Sequence, residues 1–189
     1  MPFSHAHAGF AHPVRNTAAL GIQPGMNVAD FGSGSGAYVL AIAKELQGSG
    51  HIFAVDIQKD LLRRTHNEAA KIGYKNVEII WGDLEAPGGS KIADHSLELV
   101  LISNLLFQID DKRAVMAEAK RILRAGGRLA VIDWSDSFNM TGPHKDDVVR
   151  KEDVLTLARA VELTFVNEFT AGAHHYGLIF RKQAKNAIK

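Results

Sequence analysis

Residues 26–46 constrain the fold more than any other part of the chain. Residues 26–31 form a short apolar run that passes without a spacer into Gly32-Ser33-Gly34-Ser35-Gly36. Residues 37–46 then set Val39, Leu40, Ala43 and Leu46 on one helical face. A buried strand that turns through glycines straight into a helix is half of a βα unit. Such units repeat by laying their strands parallel beneath covering helices. The pattern does repeat. Gly48-Ser49-Gly50 leads into a strand over 52–56, and a helix over 59–72 turns Leu61, Leu62, Thr65, Ala69 and Ile72 inward, with Gly73 to end it. Residues 77–81 read as a strand and Pro87-Gly88-Gly89-Ser90 as a surface loop.

Residues 97–103 are apolar apart from Glu98 and Ser103, the mark of a strand covered on both faces. Asp110 or Asp111 caps the next helix, whose stripe is Val115, Met116, Ala119, Ile122 and Leu123 and whose stop is Gly126-Gly127. Residues 128–133 make a fifth strand, 136–148 a polar loop, and 151–160 a helix with Val154, Leu157 and Ala158 inward. Two β-rich runs, 161–169 and 174–181, are joined by only Thr170-Ala171-Gly172-Ala173, which makes them an antiparallel hairpin. Ahead of the glycine segment, 13–20 predicts a short helix ended by Gly21, with Pro24-Gly25 turning the chain.

Composition narrows the function. With 189 residues and 46% hydrophobic composition the chain fills one substantial core, not two. The division expected is a flexible segment over 1–12, one domain over 13–182 and a basic tail over 183–189. A formal charge of +1 offers no strong field for nucleic acid or an anionic membrane. No apolar stretch is long enough to span a bilayer, and the first residues do not read as a signal peptide. Zero cysteines excludes disulfides and thiolate metal sites and leans towards the cytoplasm. His5, His7 and His12 have no acid or cysteine beside them, so no metal site is expected there.

Three carboxylates, Asp30, Asp56 and Asp83, end three successive strands around the glycine loop. Gly32-x-Gly34-x-x-Ala37, with Asp56 about twenty residues on, also satisfies the dinucleotide fingerprint. Asp30, however, stands two residues before the first glycine and would repel a pyrophosphate. S-adenosylmethionine brings a sulfonium, an amino group, a ribose diol and an adenine amine, and no phosphate. The acids suit it better. A short NAD(P)-binding oxidoreductase is the alternative, although the chain has no room for a separate substrate domain. A protein that binds the cofactor without transferring anything is a third reading.

On these residues the chain resembles the class I S-adenosylmethionine-dependent methyltransferases, near the small-molecule group of ubiquinone and menaquinone biosynthesis. The resemblance runs through Val28-Ala29-Asp30-Phe31-Gly32-Ser33-Gly34-Ser35-Gly36, Ala54-Val55-Asp56, Trp81-Gly82-Asp83 and Ser103-Asn104-Leu105-Leu106-Phe107. It continues in Ile122-Leu123-Arg124-Ala125-Gly126-Gly127-Arg128-Leu129 and Tyr176-Gly177-Leu178-Ile179-Phe180-Arg181. It implies an α/β, Rossmann-like, seven-stranded and mostly parallel sheet with an antiparallel final strand and helices on both faces. Glu98 and Ala125 depart from the usual aspartate and proline and touch element ends only.

The expected cofactor contacts follow. Gly32, Gly34 and Gly36 let backbone approach the methionine part, and Asp30 lies near its amino group. Asp56 accepts both ribose hydroxyls, since two carboxylate oxygens suit a diol. Asp83 faces the adenine amine, with Ile57 and Leu84 as apolar covers. Ser103 and Asn104 line the methyl-transfer opening, and Arg15 is a candidate for the cofactor carboxylate. In-line transfer from a sulfonium makes a dedicated base optional. Asp133, His144, His174 and His175 are the candidates, and strand alternation puts His174 with Tyr176 and His175 on the opposite face. Trp134 and Phe138 are candidates for an aromatic wall. Nucleic acid is not expected, because the Asp/Asn-Pro-Pro-aromatic tetrad of amino-base methylases is replaced by Asn104-Leu105-Leu106-Phe107. The segment before Pro13 is too short for a helical lid, so acceptor choice falls to residues 134–150. A monomer or homodimer is expected.

Overall fold

The computed structural model describes residues 11–138 and 142–184. Its elements are α1 (Pro13–Leu20), β1 (Asn27–Phe31), α2 (Ala37–Glu45), β2 (His51–Asp56), α3 (Lys59–Ile72), β3 (Val77–Trp81) and β4 (Leu97–Ser103). A short 3₁₀ turn (Leu106–Gln108) precedes α4 (Lys112–Ile122), β5 (Leu123–Trp134), α5 (Lys151–Ala160), β6 (Leu163–Gly172) and β7 (His175–Lys182). Among the described residues the seven strands form one sheet in the order β3-β2-β1-β4-β5-β7-β6. β7 runs antiparallel to both its neighbours and the other strand pairs are parallel. This is the sheet that the resemblance implies.

Two cores lie on the two faces, as alternation along the strands requires. Phe31, Ile102, Val131 and Leu178 face α4 and α5. Val28, Leu101, Ile132 and Ile179 face α1, α2 and α3. The chain steps outward from β1 to β3 and then resumes at β4 on the other side of β1. That reversal opens a crevice beyond the carboxyl ends of β1 and β4, the usual ligand position in open α/β sheets.

Helix ends differ in places from the pattern expected. Asp111 is the cap of α4, accepting the Ala114 N–H at 2.9 Å. That helix stops at Ile122, four residues before Gly126, and Leu123 is already extended at the start of β5. The Lys182 ammonium explains the early stop. It donates to the Lys120 and Leu123 carbonyls, both at 2.6 Å, and so satisfies the last turn from outside. The reversed hairpin also lies later than expected, because Val161 and Glu162 close α5 before β6 begins. Most of the first segment and of the basic tail, including His5 and His7, lies outside the described residues.

Candidate functional site

The glycine loop is fixed from below by backbone. Gly32 and Ser33 both donate to the Val55 carbonyl, at 2.9 and 3.2 Å. Gly36 caps α2 at φ +79°, and a Cβ there would sit 2.5 Å from Thr65. Glycine is therefore needed for both backbone angle and space. Gly34, at φ +51°, is different, since nothing lies nearer a Cβ there than the Gly32 carbonyl oxygen at 3.9 Å. The loop is closed underneath and open above.

Asp56 ties the loop to β2. Its Oδ2 accepts the Gly34 N–H and its Oδ1 accepts the Gln58 N–H, each at 2.8 Å. A carboxylate has about four acceptor positions, so each oxygen keeps room for one more donor. Gln58 is the N-cap of α3. Asp30 lies behind, 2% exposed, and burial together with the nearby Asp56 pushes its carboxyl up to about 8. A buried acid of this kind takes on charge readily only when a cation arrives beside it.

A 260 Å³ pocket opens between the glycine loop and the loop after β3. Gly32, Asp56, Ile57, Asp83 and Leu84 line it, with Leu105 and Ile109 on the far wall. Three segments separated widely in sequence, at 32, 56–57 and 83–84, thus meet in one cavity. Ile57 is 62% exposed, an uncovered apolar side chain on the pocket wall, whereas Leu84 is buried. Asp83 is exposed, and its Oδ1 accepts the Glu85 N–H at 3.0 Å. The lining includes three acids, counting Glu85, and no lysine or arginine. This donor set suits hydroxyls, amines and positive charge and repels phosphate.

The rim carries orphaned polar atoms. Among the described residues Ser33 Oγ and Asn104 Oδ1 are buried with no hydrogen-bond partner, and the buried Ser103 Oγ faces the Tyr38 hydroxyl. Asn104 adopts φ +52°, which breaks β4 and lets Leu105 fold back over Gly32. Across the opening, Asn16 of α1 donates to both the Tyr38 hydroxyl and the Ala171 carbonyl, at 2.9 Å each. Burial raises the Tyr38 pKa, with Asn16 and Ser103 opposing and Asp30 adding to it. Sequence reading missed this network, because Asn16 and Tyr38 meet Ala171 only through the fold.

The base candidates scatter. Asp133 is 1% exposed, and burial lifts it to about 6, against the two backbone N–H groups it accepts. It holds Leu106 and Trp134 in place, at 3.0 and 2.8 Å, and it faces the α4–α5 side, away from Asp30 and Ser103. His144 is exposed and lies 3.5 Å from Asp146. His174 pairs with Asp136 at 2.8 Å and stacks on Phe138 at 4.0 Å. His175, by contrast, is 4% exposed and lies against Trp134, with ring centroids 4.2 Å apart. Arg15 is exposed on α1. His12 is the N-cap of the same helix.

Residues 22–177 match the family model described as a methyltransferase domain. An arsenite methyltransferase of Halobacterium salinarum is 32% identical over 139 residues, which are 74% of this chain and 34% of that protein. A demethylmenaquinone methyltransferase of Listeria monocytogenes is 31% identical over 127 residues, 62% of this chain and 52% of that one. The chain thus spans about a third to a half of the length of these curated relatives. In fold it matches a SAM dependent methyltransferase from Aquifex aeolicus, with a TM-score of 0.81 at 21% identity over 89% of this chain and 88% of the other. It also matches an arsenic(III) S-adenosylmethionine methyltransferase from Chlamydomonas reinhardtii, with a TM-score of 0.70 at 22% identity over 88% and 66%.

Proposed function

Because the chain belongs to the methyltransferase-domain family, we propose that it binds S-adenosylmethionine over the glycine loop and transfers its methyl group to a small organic acceptor by in-line displacement. The observation that carries this reading is the pocket between Gly32 and Leu84, acid-lined, without a cation, and walled by an exposed isoleucine. When bound, the cofactor supplies a methyl carbon already activated by a sulfonium.

This chain's residues then divide the work. The remaining acceptor positions of Asp56 take the ribose diol, Asp83 takes the adenine amine, and Ile57 and Leu84 cover the ring. Gly32, Gly34 and Gly36 admit the methionine part, and Asp30 meets its ammonium. Ser103 and Asn104 border the opening through which the acceptor approaches, and the Asn104 side-chain oxygen is left for a ligand to satisfy. Leu105 and the Tyr38 ring keep water from the reacting atoms, which matters more here than acid–base chemistry.

The relatives suggest two acceptor types. A thiophilic arsenic centre calls for soft thiolate ligands, and this chain has no cysteine to offer. We therefore place the acceptor among organic molecules. Nucleic acid is disfavoured by the balanced charge. No helix among the described residues is long and apolar enough to cross a membrane. A cytoplasmic monomer or homodimer is the setting we propose.

Calorimetric titration with S-adenosylhomocysteine tests the reading. Micromolar-range binding is expected, and Asp56→Ala should weaken it at least tenfold, about 1.4 kcal/mol. A wild-type protein that binds no S-adenosylhomocysteine refutes the proposal.

A further inference from the structure

The α1–α2 face of the sheet carries a row of side chains along its carboxyl edge. Asp30, Ser103, Trp134 and His175 all point to that face. Each stands an even number of residues from a strand neighbour in that core, namely Val28, Leu101, Ile132 and Ile179. Asp30 lies opposite Leu101, Ser103 opposite Ile132, and Trp134 opposite His175. The row therefore climbs towards the open edge as it crosses from β1 to β7. With strands about 4.8 Å apart and about 3.3 Å of rise per residue, His175 lies roughly 12 Å from Ser103 between Cα atoms. His175 also borders a 700 Å³ cavity with Ser135, Phe169 and Thr170.

The His175 ring packs on Trp134, a contact that makes no use of its nitrogens. Both ring nitrogens are buried, and neither has a hydrogen-bond partner among the described residues. Its neighbours find theirs, His174 on Asp136 and Tyr176 on the Val149 carbonyl. Buried polar groups are nearly always paired, and an orphan at a ligand-binding edge calls for a ligand. Burial holds the ring neutral, pushing it down to about 4, with His174 adding to the effect and Asp136 opposing it. A neutral imidazole keeps one nitrogen as an acceptor and the other as a donor. The roof over this end is α1, anchored through Asn16 to the Ala171 carbonyl.

We infer that His175 is the acceptor-contacting residue of the methyl-transfer site, receiving a hydrogen bond from the nucleophile's own O–H or N–H. The inference rests on the proposed function and narrows it to acceptors whose nucleophilic oxygen or nitrogen carries a proton. In the transfer, a lone pair on that atom forms the bond to the methyl carbon while the carbon–sulfur bond breaks and its electrons return to sulfur. The proton displaced from the nucleophile passes to the free His175 nitrogen and then to solvent.

Histidine-selective ¹⁵N labelling reads this directly. Protein saturated with S-adenosylhomocysteine is titrated with catechol, 4-hydroxybenzoate, aniline and methylamine. The His175 ring signals are assigned by their loss in His175→Gln and His175→Asn. One probe class should shift the His175 nitrogens and leave those of His144 and His174 in place. With S-adenosylmethionine, the same class should be methylated, and the two variants should lose about a hundredfold in turnover, within the range of acid–base catalysis. Their affinity for S-adenosylhomocysteine should stay within twofold. Silence of the His175 signals towards every probe overturns the inference, and so does wild-type turnover in either variant. Either variant that folds suffices for the assignment, and the wild-type titration then stands by itself. If S-adenosylhomocysteine itself does not bind, the proposed function fails first, so the two failures are distinguishable.

Discussion

Replacing Asp30 by asparagine should stabilise the free protein, and the gain should grow with pH. The Asp30 carboxyl sits at about 8 in the folded chain against an ordinary 3.8, because burial and then Asp56 disfavour its charge. A carboxyl whose folded pKa is raised holds a proton that the unfolded chain has released. Its presence therefore costs stability progressively from about pH 4 up to about pH 8. At pH 7 the gap from the unfolded value is about three pH units, at about 1.4 kcal/mol each, or roughly 4 kcal/mol. Asparagine has the same shape and no charge, so it avoids that cost. For a chain of this size about 1 kcal/mol moves the melting temperature by about 2–4 °C. Even a quarter of the full effect is measurable. Thermal unfolding of Asp30→Asn and wild type at pH 5 and pH 7.5 should show a clear rise at 7.5 and a much smaller one at 5. An equal change at both values, or a loss at 7.5, refutes the electrostatic account.

The same substitution should harm binding. An ammonium group beside Asp30 favours its ionised form, so ligand binding releases a proton. Affinity for S-adenosylhomocysteine should then rise with pH, by up to about tenfold per unit, and flatten near pH 8. In Asp30→Asn that slope should vanish and the affinity should fall. Calorimetry in buffers of different ionisation enthalpy counts the released proton.

Three further outcomes follow from geometry. Glu118→Gln should destabilise the protein by about 1–3 kcal/mol in urea unfolding, because it breaks the pair between buried Glu118 and part-exposed Arg121 and weakens the anchors of Ser90 and Gly88. Despite its burial, hydrogen bonds from Arg121 and Ser90 hold the Glu118 carboxyl down to about 2. Its stabilisation is therefore complete above about pH 4.5 and lost as pH falls towards 2. Gly36→Ala should cost about 1–3 kcal/mol in the same assay, since it forces a Cβ against Thr65 at a left-handed backbone angle. His144→Ala should leave S-adenosylhomocysteine affinity and melting temperature unchanged, because that side chain is exposed and pairs with the equally exposed Asp146.

What could be read in the chain, and what could not, follows the length scale of each interaction. The strands, their order of polarity and the glycine loop are written in neighbouring residues. Apolar runs of five to seven, turn glycines and an acid at a strand end are enough to find Asp30, Asp56 and Asp83. Their meeting in one pocket could be anticipated because consecutive βα units align their carboxyl ends. The end of α4 was misplaced because Lys182, about sixty residues away, satisfies its carbonyls, and no local pattern announces that. Asp133 stands at a strand end like the three site acids, yet it accepts the Leu106 and Trp134 N–H groups and faces the α4–α5 side of the sheet. The acceptor side is the least legible for the same reason. Asn16, Tyr38, Ser103 and His175 come from four elements, and their relation is set by sheet order, which places β7 between β5 and β6 and brings Asn16 of α1 to Ala171 of β6. Alternation alone already separated His175 from His174. What sequence could not supply was the contrast in partners, an aspartate for one and nothing for the other. That contrast is what the role proposed for His175 rests on, since an unpaired buried imidazole costs stability that an apolar side chain of similar size would not.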